Sequence, residues 1–140
     1  RTNLKPVFRN SALPDETAIL IYLVDDDASV RAALTMLFRS ADMEVKTYEA
    51  AEDLLECQLR EQNTCLISDI KLKGLSGIEL QQQLAERGIQ IPVIFLTAFD
   101  SNEIRQQAKQ GGAAGYFRKP VDGQALLDTI HWAISSCLSS

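Results

Sequence analysis

The chain has 140 residues, a net charge of −5 and a pI near 4.8, with 46% hydrophobic and 24% charged residues. That is the make-up of one globular domain large enough to bury a real core, and its acidic balance argues against nucleic-acid binding by this segment. The longest apolar run, Ile19 to Val24, is far short of a membrane span, and Cys57, Cys65 and Cys137 form no C-x-x-C pair and have no histidine close in sequence, so they read as buried apolar residues of a reducing cytosol rather than zinc or disulfide partners.

No charged-then-apolar leader opens the chain, and its first residue, Arg1, points to a piece of a longer protein. Residues 1–17 carry two prolines and no apolar period, and read as a tail or linker. Order is expected from residue 18 to 138. Ile19 to Val24 predicts a buried strand that runs into Asp25-Asp26-Asp27. Val30, Ala33, Leu34, Leu37, Phe38 and Ala41 fall on one face at helical spacing. Glu44 to Tyr48 alternates as a less buried second strand, and Ala51, Leu54 and Leu55 predict a short helix. Cys65 to Ser68 is a third strand ending on Asp69, followed by a loop and a helix carrying Ile78, Leu84 and Ala85 that Gly88 stops. A fourth strand, Pro92 to Leu96, ends on Thr97. The helix after it, Asn102 to Gln110, is polar, with Ile104 and Ala108 as its main apolar contacts, and Gly111-Gly112 stops it. Gly115 to Arg118 is a short fifth strand ending on Lys119-Pro120, and Leu127, Ile130, Ala133, Ile134, Cys137 and Leu138 predict a fifth helix. Strands alternating with helices specify an α/β, doubly wound, five-stranded parallel sheet with helices on both faces.

Ligands of such sheets bind at the carboxyl ends of the strands. Four strand ends here carry reactive side chains: Asp25-Asp26, Asp69, Thr97 and Lys119. Asp69 alone reads equally well as a turn cap, and three adjacent carboxylates as a solvated loop. Brought to one edge, they suit phosphoryl transfer to a carboxylate, with Asp69 as nucleophile. The acidic pair suits Mg²⁺, which takes oxygen ligands and needs only one or two carboxylates, and Thr97 and Lys119 supply a hydroxyl and an ammonium.

Val24-Asp25-Asp26-Asp27, Ser68-Asp69, Leu96-Thr97-Ala98 and Arg118-Lys119-Pro120 together resemble, in order and approximate spacing, the motifs of the receiver domain of two-component response regulators, over about residues 18–138. The resemblance implies a flavodoxin-like sheet of order 2-1-3-4-5 and a cytoplasmic protein that takes a phosphoryl group from a histidine kinase. Such a domain does no more chemistry than self-phosphorylation and slow self-dephosphorylation. It makes Asp69 the phosphoacceptor and Asp25, Asp26, Asp69 and the backbone carbonyl of Lys71 the Mg²⁺ ligands. It makes Thr97 and Tyr116 the switch pair, with Tyr116 swinging inward on activation, and Lys119 the ion-pairing lysine. The face of helix four, strand five and helix five is then where receivers dimerise or meet an output domain. The segments Gly74 to Leu80 and Lys119 to Asp122 most resemble regulators that carry a C-terminal helix-turn-helix. One departure stands out: the family's usual proline ahead of the loop glycine is replaced, the pair here being Leu72-Lys73. An alternative is a haloacid-dehalogenase-type phosphatase with Asp25 as nucleophile and Asp27 as general acid, although the chain lacks that family's final acidic pair and cap insertion. A flavodoxin-like cofactor binder is disfavoured, since three aspartates after the first strand repel phosphate.

Overall fold

The computed structural model describes residues 18–139, with side chains to residue 136, so the tail expected over residues 1–17 lies outside the described residues. Ten elements alternate in the order β1 (Leu20–Val24), α1 (Ala28–Ser40), β2 (Glu44–Tyr48), α2 (Ala51–Leu55), β3 (Thr64–Asp69), α3 (Gly77–Glu86), β4 (Val93–Thr97), α4 (Asn102–Gln110), β5 (Gly115–Arg118) and α5 (Gly123–Ser139). All strand pairs are parallel and the sheet order is β2-β1-β3-β4-β5, as expected.

The three middle strands are buried on both faces because alternate side chains enter two separate cores. Leu20, Tyr22, Val24, Leu66 and Phe95 point to one side, where Ala51 and Leu54 of α2, Ile78, Leu80 and Leu84 of α3 and Ala108 of α4 cover them. Ile21, Leu23, Cys65, Ile67, Ile94 and Leu96 point to the other, against Leu34 and Phe38 of α1 and Leu126, Ile130 and Ile134 of α5. Each core residue excludes water from a strand whose backbone bonds would otherwise compete with solvent, so packing and ladder support each other.

Several apolar residues sit differently from their expected places. Ala33 and Ala85 are exposed, because the stripes that reach the sheet are narrower than the full helical period. The last helix begins at Gly123, one turn earlier than its periodic residues, so its first buried anchor is Leu126 and Leu127 is half-buried. Cys65 is buried, but Cys57 is exposed, since it follows the short α2 on its solvent side. Cys137 falls beyond the described side chains.

The strands start from a fixed base. Arg60, in the loop between α2 and β3, donates to the carbonyls of Ala18, Gln62 and Asn63 and to Thr64 Oγ1, while its amide donates to Tyr22 Oη at 2.8 Å. One guanidinium thereby ties the entry of β1 to that of β3. Arg60→Ala strands several carbonyls and is expected to cost about 2 kcal/mol, measured as a lower urea midpoint with an unchanged slope. An unchanged midpoint shows that water replaces those bonds without loss.

Candidate functional site

The chain leaves β1 toward β2 and leaves β3 toward β4, on opposite sides of the sheet, which opens a crevice between the carboxyl ends of β1 and β3. Val24 is level with Ser68 in the ladder, so Asp25 and Asp69, each one residue further on, face the same crevice. Thr97 ends β4 beside them and Lys119 follows β5.

The structure brings the expected residues together. Lys119 Nζ donates to Asp25 Oδ2 at 2.8 Å and to Asp69 Oδ2 at 3.1 Å. Carboxylate oxygens of Asp25, Asp26 and Asp69 lie within 4.8 Å of one another. The other oxygens of the buried pair are engaged by backbone amides: Asp27 N–H donates to Asp25 Oδ1 at 2.9 Å and Lys71 N–H to Asp69 Oδ1 at 3.2 Å. Asp26 is exposed, and its carboxylate has no hydrogen-bond partner among the described residues. Three hard oxygen donors at this spacing, one of them uncommitted, fit a divalent cation such as Mg²⁺. The Lys119–Pro120 peptide bond is cis.

Electrostatics follow from burial. Asp25 is 1% exposed. Burial pushes the Asp69 carboxyl above its ordinary value; Lys119 and the Lys71 amide oppose this without cancelling it, and the charge of Asp25 adds to it. For Lys119, burial acts to lower the pKa, but hydrogen bonds and charge from Asp25 and Asp69 outweigh it and the net shift is upward. The ammonium is therefore charged throughout the neutral range.

Loop geometry places the rest. Gly77 opens α3 against the chain of Asp69, where a Cβ would collide with the Asp69 carbonyl oxygen, and its amide donates to Ile70 O at 2.8 Å. Ser76 caps α3 reciprocally with Glu79, which fixes where the loop ends. Lys71 Nζ lies 4.6 Å from the centre of the Phe99 ring, an exposed aromatic that a cation can cover.

Thr97 and Tyr116, the pair expected to switch, adopt an arrangement the sequence does not indicate. The Thr97 hydroxyl is buried and accepts from Phe99 N–H at 2.9 Å, so it is bonded within its own loop. Tyr116 is half-buried on β5, with its hydroxyl covered and Arg105 5.3 Å from its ring centre. Burial and then the Asp100 carboxylate push the Tyr116 pKa up; Asp100 is near enough to act through its charge but not in hydrogen-bonding geometry. Asp100 is itself ion-paired with Arg105.

Asp27 rules against the phosphatase alternative. Its carboxylate caps α1, accepting from Ser29 N–H at 2.8 Å and Val30 N–H at 3.4 Å, so it is committed to the helix and does not stand over the crevice as a general acid. Two residues near the site escaped the sequence reading. Arg31 donates to the Asp25 carbonyl at 2.6 Å, and Glu52 of α2 accepts from Leu75 N–H at 2.9 Å. Neither lies at a strand end, where site residues are sought.

Comparison with known proteins agrees with this geometry. The family described as "Response regulator receiver domain" matches residues 21–131. The transcriptional regulatory protein TdiR of Thauera aromatica is 38% identical over 118 residues, which cover 84% of this chain and 52% of that protein. The structure of the response regulator StyR is 41% identical with a TM-score of 0.78, over 84% of this chain and 60% of that one. FixJ-N is 26% identical with a TM-score of 0.77, over 88% and 96%. The chain thus spans about half the length of the curated relative it matches. Among the described residues, no helix is long and apolar enough to cross a membrane. A lysine joining two strand-end aspartates, on a five-stranded sheet of this order and with these relatives, has one reading: the chain belongs to the response regulator receiver domain family.

Proposed function

We propose that Asp69 accepts a phosphoryl group from a histidine kinase and that the change is passed to an output domain or a partner. The observation that carries this is Lys119 Nζ joining Asp25 and Asp69 beside the uncommitted carboxylate of Asp26. In the transfer, an Asp69 carboxylate oxygen bonds to phosphorus as the bond from phosphorus to the donor's imidazole nitrogen breaks, and the electron pair leaves with that nitrogen. Asp25, Asp26, Asp69 and the carbonyl of Lys71 are the residues that would hold Mg²⁺, which offsets charge on the phosphoryl oxygens when bound. Lys119, already charged and aimed at Asp69, supplies a fixed donor to the same oxygens. Thr97 exchanges its bond to Phe99 for one to the phosphoryl group, which frees the loop leading to α4. α4 is suited to move, because only Ala108 of it is buried. Tyr116, which lies beside Asp100 and Arg105, then moves with that loop, and the α4–β5–α5 face is where a second copy or an output domain docks. The cytoplasm, where histidine kinases present their phosphoryl groups, is the compartment this role requires.

The test is borohydride trapping after treatment with acetyl phosphate and Mg²⁺. The label is expected at Asp69 alone, with uptake lost in Asp69→Asn and without Mg²⁺. A label at Asp25, or uptake that persists in Asp69→Asn, overturns the assignment.

A further inference from the structure

We propose that Glu52 is a positioning residue for the phosphoacceptor: a strap from α2 that holds the loop after Asp69 in place of the missing proline. This rests on the reading of Asp69 given above. Between Asp69 and α3 the chain runs through Ile70 to Ser76, and the amides of Leu72, Lys73 and Gly74 donate to no protein group among the described residues. Within the loop, Lys71 binds back to Asp69, and at its end Ser76 N–H donates to Glu79 of the helix it opens. Apart from the bonds that tie it to the helix it leads into, Gly77 N–H to Ile70 O and the Ser76 cap, the one hydrogen bond from this loop to another part of the described fold is Leu75 N–H to Glu52 Oε2, at 2.9 Å.

The fit is close as well as polar. Gly74 has φ +78°, a left-handed conformation that glycine takes without strain. A Cβ at Gly74 would collide with Glu52 Oε2 and lie 3.1 Å from Glu52 Cδ, so the carboxylate occupies the space a side chain at Gly74 would need. The Leu75 amide holds the Glu52 carboxyl below its ordinary value, so the strap is charged at neutral pH. On the far side of the same loop, Lys71 stacks on Phe99 and its amide orients Asp69 Oδ1. Slack in residues 72–75 therefore reaches the amide that aims the nucleophile. A proline at position 73 would limit that slack by fixing φ; here the restraint comes from outside the loop, through a residue 23 positions earlier.

Four variants in the otherwise intact chain test this: Glu52→Gln, Glu52→Ala, Lys73→Pro, and Glu52→Ala with Lys73→Pro. The readouts are the initial rate of phosphoryl uptake from acetyl phosphate at saturating Mg²⁺, the melting temperature, and hydrogen exchange of the Leu75 amide. Glu52→Ala is expected to slow uptake about fivefold, the equivalent of one lost hydrogen bond, and to speed Leu75 exchange, with little change in melting. Glu52→Gln retains an acceptor and stays within about twofold of the parent. Lys73→Pro removes no hydrogen bond and should restore most of the rate when added to Glu52→Ala. That rescue is something a general loss of stability cannot produce. The proposal is overturned by parental uptake and parental Leu75 exchange in Glu52→Ala, and equally by a double variant as slow as Glu52→Ala. If the parent itself takes up no phosphoryl group, the function assigned to Asp69 fails, and Leu75 exchange still decides whether the strap exists.

Discussion

Lys119→Met should lower stability by about 2–3 kcal/mol without divalent cation, a drop of roughly 6–12 °C in melting temperature. Removing one partner of a buried ion pair typically costs more, but Lys119 keeps 19% of its side chain exposed, and water that reaches the pair reduces the penalty. The cost arises because Asp25, with 1% of its side chain exposed, and Asp69 would face each other without the ammonium that now bonds both. The pH dependence follows in sign. In the parent, the Lys119 pKa is raised above its ordinary 10.5, so its contribution is complete below that value and is lost only as pH rises through the higher, folded one. In the variant, Asp69 loses its main downward influence, and its folded pKa rises further above the unfolded one. Stability from such a group is present below the unfolded pKa and lost as pH climbs through the folded one, so the variant should regain more ground than the parent on acidification from pH 7 toward pH 5. Mg²⁺ should restore the variant more than the parent, because a cation then supplies the missing positive charge. Equal melting temperatures without Mg²⁺, or no acid recovery, would show that Lys119 is not what offsets the acidic cluster.

That the same residues were legible in the sequence has a physical cause. A parallel sheet collects its strand ends on one edge, so Asp25, Asp69, Thr97 and Lys119 needed only four strand assignments to be brought together. The strands were plain because they are buried on both sides and therefore apolar almost throughout. Periodicity says less about how wide a buried stripe is: Ala33 and Ala85 fit the helical period and still face water, since the sheet beneath covers only part of each helix. Cys57 was misplaced for a similar reason: α2 ends at Leu55, and Cys57, two residues beyond it, falls on the solvent side. The supports of the site were invisible. Glu52 to Leu75, Arg60 to Ala18 and the buried Gln81 to the Ala108 carbonyl join residues 23 to 42 positions apart through one backbone group each. Any polar side chain at those positions reads as a surface residue until the backbone it meets is known. Tyr116 shows the same limit, because the sequence does not indicate that Arg105 lies over its ring or that Asp100 lies near its hydroxyl.

Gly77→Ala is expected to cause the largest loss of site function relative to its size, a single methyl group. Gly77 is the first residue of α3, and its Cβ position would collide with the Asp69 carbonyl oxygen and lie 3.0 Å from Ile70 Cα and 3.1 Å from Asp69 C. All three atoms are backbone, so no rotamer change relieves the clash. Either α3 slides outward, opening the packing of Ile78 and Leu80 in the core, or the Asp69 backbone moves and takes its carboxylate with it. The first route resembles overpacking and costs about 2–3 kcal/mol. The second breaks the Gly77 N–H bond to Ile70 O and misaligns Asp69 with Lys119, for which a loss of about tenfold or more in phosphoryl uptake is expected, since small displacements at a reacting centre are heavily penalised. Gly88→Ala provides the control. Gly88 has φ +73° and nothing within 4 Å of its Cβ position, so alanine there costs about 1–2 kcal/mol of backbone strain at the end of α3, far from the crevice. The two variants should therefore be similar in urea denaturation and diverge in chemistry, with uptake retained in Gly88→Ala and lost in Gly77→Ala. Parental uptake in Gly77→Ala would mean that α3 absorbs the whole displacement and that its close approach to Asp69 does not set the position of the Asp69 carboxylate.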